Sequence, residues 1–104
     1  MISALAITYN EEKNVERYIK SLSFADEIII VDSFSTDNTV NLAKQLGAKV
    51  VQREFDNFSA QKNYALTLAN HDWITFFDLD EIVTPKLAEE ITNTVKTNPK
   101  NEVF

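Results

Sequence analysis

With 104 residues, 44% of them hydrophobic and 25% charged, the chain has the size and balance of one folded domain and not of a disordered segment. A formal net charge of −6, from 10 basic and 16 acidic side chains, argues against a nucleic-acid partner, which needs clustered Lys and Arg. The absence of Cys removes disulfides, zinc–thiolate centres and thiol catalysis, and the lone glycine, Gly47, leaves no room for a glycine-rich phosphate loop or dinucleotide turn.

No stretch approaches the ~20 apolar residues of a membrane span. The first residues show no basic segment followed by an apolar run. The expected location is the cytoplasm, including the inner face of a membrane reached by peripheral association.

Taken in order, residues 2–8 predict a first strand. Residues 10–22 carry Val15, Tyr18, Ile19 and Leu22 at helical spacing. Asn10 is the expected N-cap, and Glu11 and Glu12 suit the positive end of the helix dipole. The unbroken apolar run 28–31 predicts a second strand covered on both faces, as in a parallel sheet. A second helix follows, capped by Ser35 or Thr36, with Val40, Ala43 and Leu46 on one face and Gly47 at its stop.

Residues 48–52 read as a short third strand. Residues 59–70 read as a third helix with Tyr64, Ala65 and Leu68 inward. Residues 72–80 read as a fourth strand. Thr84 is the expected cap of a fourth helix, Pro85 takes its first position, and Leu87, Ile91 and Val95 form its apolar stripe. Residues 101–104 begin a fifth strand that the chain does not finish. Trp73 and the phenylalanines are assigned to the core. Strands alternating with helices predict an α/β fold, a mostly parallel Rossmann-like sheet in one domain, cut short at its C-terminus.

In such sheets ligands bind beyond the carboxyl ends of the strands. Those ends carry Thr8, Tyr9, Asn10 and Glu11 after the first strand, Asp32, Ser33, Ser35 and Asp37 after the second, and Asp78, Asp80 and Glu81 after the fourth. Asp78 and Asp80 share a face if the strand stays extended that far. Two such carboxylates repel unless a cation intervenes, and oxygen ligands without His or Cys favour Mg2+ or Mn2+. The bland reading is that one of them caps the turn into the last helix. Asp32 suits either a base or ribose acceptor or an Asx-turn. Asp37 suits the dipole of the following helix, and Lys62 either meets a phosphate or is solvated. His71, the only histidine, has no serine beside it and is not assigned to catalysis.

Taken together, "AITYNEEKNVERYIKSL", "DEIIIVDSFSTDNTV", "QKNYAL" and "DWITFFDLDE" resemble the N-terminal half of a family 2 glycosyltransferase of the GT-A fold, nearest in flavour to lipopolysaccharide-core glucosyltransferases. The resemblance implies an inverting transfer of sugar from a nucleotide-diphosphate sugar, UDP-linked, to a saccharide or lipid-linked acceptor. It implies that Thr8, Tyr9, Asn10 and Glu11 cup base and ribose, that Asp32 bonds the base, and that Asp37 is the acid of the next loop. Lys62 and Asn63 match a basic–polar pair near the nucleotide. Asp78 and Asp80 match the Asp-x-Asp motif, with Asp80 on the metal and Asp78 nearer the ribose. Leu79 departs from the alanine common between the two acids.

The resemblance also implies a missing half. The acceptor site and the catalytic base, needed to deprotonate the attacking hydroxyl, are expected beyond Phe104. The 104 residues are therefore expected to bind donor without turnover, and the incomplete sheet to self-associate or meet a partner. Two rival readings stand beside this one. One is a non-catalytic nucleotide-binding or interaction module. The other is a phosphatase of the haloacid dehalogenase type, suggested by "FFDLDE".

Overall fold

The computed structural model describes residues 1–97. Four strands and four helices alternate along them: β1 (Ile2–Thr8), α1 (Glu12–Lys20), β2 (Glu27–Asp32), α2 (Thr39–Gln45), β3 (Lys49–Gln52), α3 (Phe58–Leu68), β4 (Trp73–Phe76) and α4 (Pro85–Thr97). All strand pairs are parallel, and the sheet order is β3-β2-β1-β4. The expected α/β sheet is therefore the one found. The fifth strand expected at residues 101–104 lies outside the described residues.

Alternation along β1 divides the core between the two faces of the sheet. Ile2, Ala4 and Ala6 pack with Ile30, with Val15, Tyr18, Ile19 and Leu22 from the α1 region, with Ala43 of α2 and with Ile91 of α4. Leu5 turns to the other face, where it meets Ile29, Val31 and Ala65 of α3. The run 28–31 is thus apolar throughout because both of its faces are covered. Gly47 ends α2 at φ 92, a conformation that favours glycine. Thr84 Oγ1 accepts from the Leu87 N–H at 3.2 Å and caps α4 as expected.

Four boundaries differ from expectation, each for a local reason. Glu11, not Asn10, occupies the cap position of α1, because Asn10 sits in the left-handed region at φ 51. The α2 cap position is Asn38, because Ser35 and Thr36 are engaged in the preceding loop. α3 starts at Phe58, since Asn57 Oδ1 accepts from the Ala60 N–H at 2.8 Å. β4 ends at Phe76, paired with Leu5, so Asp78 and Asp80 leave the ladder.

Chain order sets where a ligand can enter. From β1 the chain steps outward to β2 and β3, then returns past β1 to β4. The order reverses between β1 and β4, and open α/β sheets leave a crevice at such a point, beyond the strand ends.

Candidate functional site

A cleft of 560 Å³ opens at that point. It is lined by Ile7, Thr8 and Tyr9 at the end of β1, Glu11 before α1, Ser33 after β2, Phe55 and Phe58 around the start of α3, and Asp78, Leu79 and Asp80 after β4. The volume lies in the range of small-molecule sites. Of the expected residues, the cleft brings together Thr8, Tyr9, Glu11, Asp78 and Asp80.

The acids sit on a turn and not on a strand. The Glu81 N–H donates to Asp78 O at 3.0 Å, and the Asp78 N–H donates back to Glu81 Oε1 at 2.9 Å. Between the two aspartates Leu79 is 1% exposed and packs into the larger core. One buried side chain thus pins a turn that holds a carboxylate on either side. Glu81, given no role by the sequence, closes this turn. Burial raises the Asp78 carboxyl above its ordinary pKa, and the charges of Glu81, Asp80 and Glu11 raise it further. A carboxylate strained in this way gains from a cation.

Among the described residues no three His, Cys, Asp or Glu side chains are grouped to enclose a metal ion. A cation here would take one or two carboxylates and fill its shell from solvent and ligand, the ordinary habit of Mg2+. The oxygen-only donor set of Asp78 and Asp80 fits such an ion.

Asn10, Asp32 and Asp37 lie outside the cleft lining, Asn10 exposed and Asp32 buried. Asp32 is fully buried, and Ser35 supplies partners to both carboxylate oxygens, N–H to Oδ2 at 2.8 Å and hydroxyl to Oδ1 at 2.5 Å. Asp37 Oδ1 accepts from the Thr39 N–H at 3.0 Å and from the Thr39 hydroxyl, while Oδ2 accepts from the Glu12 N–H at 3.3 Å. Burial works against ionisation of Asp37, but these hydrogen bonds outweigh it and hold its carboxyl below the ordinary range. Lys62 and Asn63 are exposed and lie outside the lining, with Lys62 Nζ 5.1 Å from the Phe76 ring centre. His71 lies at the other end of the sheet, just before β4.

Two contributors were not singled out by the sequence. Phe55 and Phe58, expected in the core, are 44% and 74% exposed and stand edge to face across the cleft rim, ring centres 5.1 Å apart. Phe34 is also exposed, at 60%. An aromatic pair inside "REFDNFS", between polar neighbours, was the available signal. Ser33, placed by the sequence at the end of β2 but given no role, also lines the cleft.

The model of the family described as "Glycosyl transferase family 2" matches residues 3–104. The chain belongs to glycosyl transferase family 2. A glycosyltransferase of Rickettsia bellii (strain RML369-C) is 47% identical over 91 residues, 86% of this chain and 31% of the relative. Glucosyl-3-phosphoglycerate synthase from Mycobacterium tuberculosis, solved with Mn2+, UDP and glucosyl-3-phosphoglycerate, superposes with a TM-score of 0.69 at 32% identity, over 77% of this chain and 33% of that one. S. aureus TarS 1-349 gives 0.78 at 25% identity, over 94% of this chain and 33% of that one. These neighbours are glycosyltransferases of the GT-A fold, and with the family match the phosphatase reading falls away. The chain spans about a third of the length of the relatives it matches. No helix among the described residues is long and apolar enough to cross a membrane.

Proposed function

We propose that these residues form the donor-binding part of an inverting glycosyltransferase that takes its sugar from a UDP-sugar. The observation that carries this reading is the convergence of Glu11, Asp78 and Asp80 with Thr8 and Tyr9 in one cleft at the reversal of strand order. All three charged lining residues are acidic. A bare diphosphate is repelled there, whereas a diphosphate carrying a divalent cation is attracted. Asp80 and Asp78 would hold that cation, Mg2+ or Mn2+, and when bound it stabilises the departing diphosphate. The M. tuberculosis synthase, solved with UDP and with either Mn2+ or Mg2+, supports the same donor chemistry.

Tyr9, 57% exposed at the mouth, gives a nucleobase a flat apolar partner. Asn10 and Asp37 serve the site from outside the lining by fixing its walls. The acceptor we propose, a saccharide or lipid-linked saccharide of lipopolysaccharide type, rests on the sequence resemblance. No base for the acceptor hydroxyl is assigned within the 104 residues, so the chain alone binds donor without transferring it.

Calorimetric titration with a panel of nucleoside diphosphates, with and without Mn2+, tests the reading. UDP binding that requires Mn2+ and is lost in Asp80→Ala is expected. Equal binding without the ion overturns the metal role, and sugar transfer by the chain alone overturns the missing-base reading.

A further inference from the structure

The ladder between β1 and β4 runs from Ile2 beside Trp73 to Leu5 beside Phe76 and stops there. Two walls of the cleft lie past its end, Glu11 on one and Asp78 and Asp80 on the other. Leu79 anchors the acid turn in the core, but apolar contact is non-directional and does not aim the turn's polar groups. Among the described residues, one hydrogen bond joins residues 78–81 to another element. Arg17 Nη2 of α1 donates to Asp80 O at 3.4 Å, across 63 positions of chain.

That bond is the last of three. The same Arg17 Nη2 donates to Asn14 Oδ1 at 2.9 Å, and Asn14 Nδ2 donates to Glu11 Oε2 at 2.9 Å. The neighbours on either side fix the Asn14 amide. A guanidinium only donates and an ionised carboxylate only accepts, so a flipped amide would set donor against donor and acceptor against acceptor. Arg17 Nη2 carries two hydrogens, enough for both of its acceptors. Glu11, Asn14 and Arg17 follow at intervals of three, the spacing that stacks side chains along one face of a helix. A line of hydrogen bonds thus runs from a carboxylate on one wall of the cleft to the backbone of the acid turn on the other.

We propose that Asn14 and Arg17 are positioning residues that hold Glu11 and the Asp78–Asp80 turn at a fixed separation, so that the seat of the divalent cation is set before the nucleotide arrives. This role rests on the metal-dependent donor reading above and adds a preset seat to it. Neither residue lines the cleft. Arg17 is exposed, and as a bare positive charge it opposes a cation. As a clamp on the turn it favours one. The two effects carry opposite signs when the side chain is removed. Salt screens the exposed charge at physiological ionic strength, which leaves the clamp dominant.

Asn14→Leu cuts the line at its centre without changing the charge. Arg17→Met frees Asp80 O and removes one positive charge. Both replacements suit a helix. Mn2+ alone is titrated into the parent, each variant and the double variant at physiological ionic strength. Free ion is read from its EPR signal, with thermal unfolding as a control on folding. The expected result is a loss of Mn2+ affinity of about fivefold in Asn14→Leu. Arg17→Met should lose less, because removal of the charge offsets part of the effect. The double variant should lose less than the product of the two single losses, since the links act in series. A folded Arg17→Met that binds Mn2+ as tightly as the parent or more tightly, a folded Asn14→Leu equal to the parent, or losses that multiply would each overturn the proposal. A purely structural role would lower the unfolding temperature and leave the affinity of the folded chain unmoved, which also overturns it. If one variant does not fold, the sign of the change in the other decides. A parent that takes up Mn2+ only together with UDP has no preset seat, which sinks this proposal and leaves the donor reading standing. UDP binding by the parent without dependence on Mn2+ sinks the metal role in both.

Discussion

Asn10 and Thr36 hold each other through both ends of one amide. Asn10 Oδ1 accepts from the Thr36 N–H at 2.8 Å, and Asn10 Nδ2 donates to Thr36 Oγ1 at 3.3 Å. The same Oδ1 takes the Asp37 N–H at 3.4 Å, and the Asn10 N–H donates to Ser35 Oγ at 2.8 Å. The loop leaving β1 is thereby tied to the loop leaving β2, at a residue whose φ of 51 Asn tolerates better than most.

Asn10→Ala should cost about 1–3 kcal/mol in urea unfolding, since it leaves loop N–H groups without their acceptor and puts alanine, which tolerates positive φ less well than asparagine, at that position. Asn10→Gly relieves the backbone part alone, worth up to about 1 kcal/mol. An alanine variant as stable as the parent would show that the clamp contributes nothing.

How much of this was legible in the sequence depends on how many structures a residue type serves. Gly47 and Thr84 were read correctly because few alternatives suit a glycine after a helix or a threonine before proline. Asn10 was misread because asparagine favours both the N-cap and the left-handed region, and only the partner loop decides between them. The apolar letters from Trp73 to Phe77 promised a longer strand, yet β4 leaves the ladder after Phe76, and the acids come together on a turn instead. Phe55 and Phe58 were hidden because hydrophobicity says that a ring prefers burial, not whether a protein or a ligand covers it. The hydrogen bond from Gln61 to Ser33 spans 28 positions of chain, which no local pattern reveals.

Phe58→Ala separates binding from folding. The ring is 74% exposed, so unfolding free energy should move by no more than about 0.5 kcal/mol. UDP affinity should fall by roughly tenfold, within the range for an aromatic face stacked on a base. Unchanged calorimetric affinity would remove Phe58 from the site.

Asp78→Asn should stabilise the metal-free chain at neutral pH. The folded pKa of Asp78 is raised, first by burial and then by Glu81, Asp80 and Glu11, so the folded state binds a proton more readily than the unfolded one. That contribution is complete below the ordinary value of 3.8 and is lost as pH rises through the raised folded value. At pH 7 the ionised side chain carries the full repulsion, which the amide removes. The gain should stay under about 1 kcal/mol for so exposed a group, and it should vanish in thermal melts below the ordinary value.

Glu27 reports the opposite sign from the opposite end of the sheet. Burial works against its ionisation, but the Ser3 hydroxyl, both donors of Asn70 and nearby His71 outweigh it and lower its pKa. Its stabilisation is present above the ordinary value of 4.5 and is lost as pH falls through the lowered folded value. Glu27→Gln should therefore cost about 1–2 kcal/mol at pH 7. The gap to the parent should close in acid, and a gap independent of pH would refute the assignment.

Ser3 and Thr8 belong to the same strand, yet one serves the Glu27 network and the other opens into the cleft. Five residues of extended chain separate them by about 16 Å, beyond the distance at which substitutions usually influence one another. β1 acts as an insulating rod, with robustness anchored at one tip and ligand choice at the other. Changes at the cleft should therefore add to changes at the Glu27 end without interference, which would let selectivity drift while the scaffold keeps its stability at neutral pH.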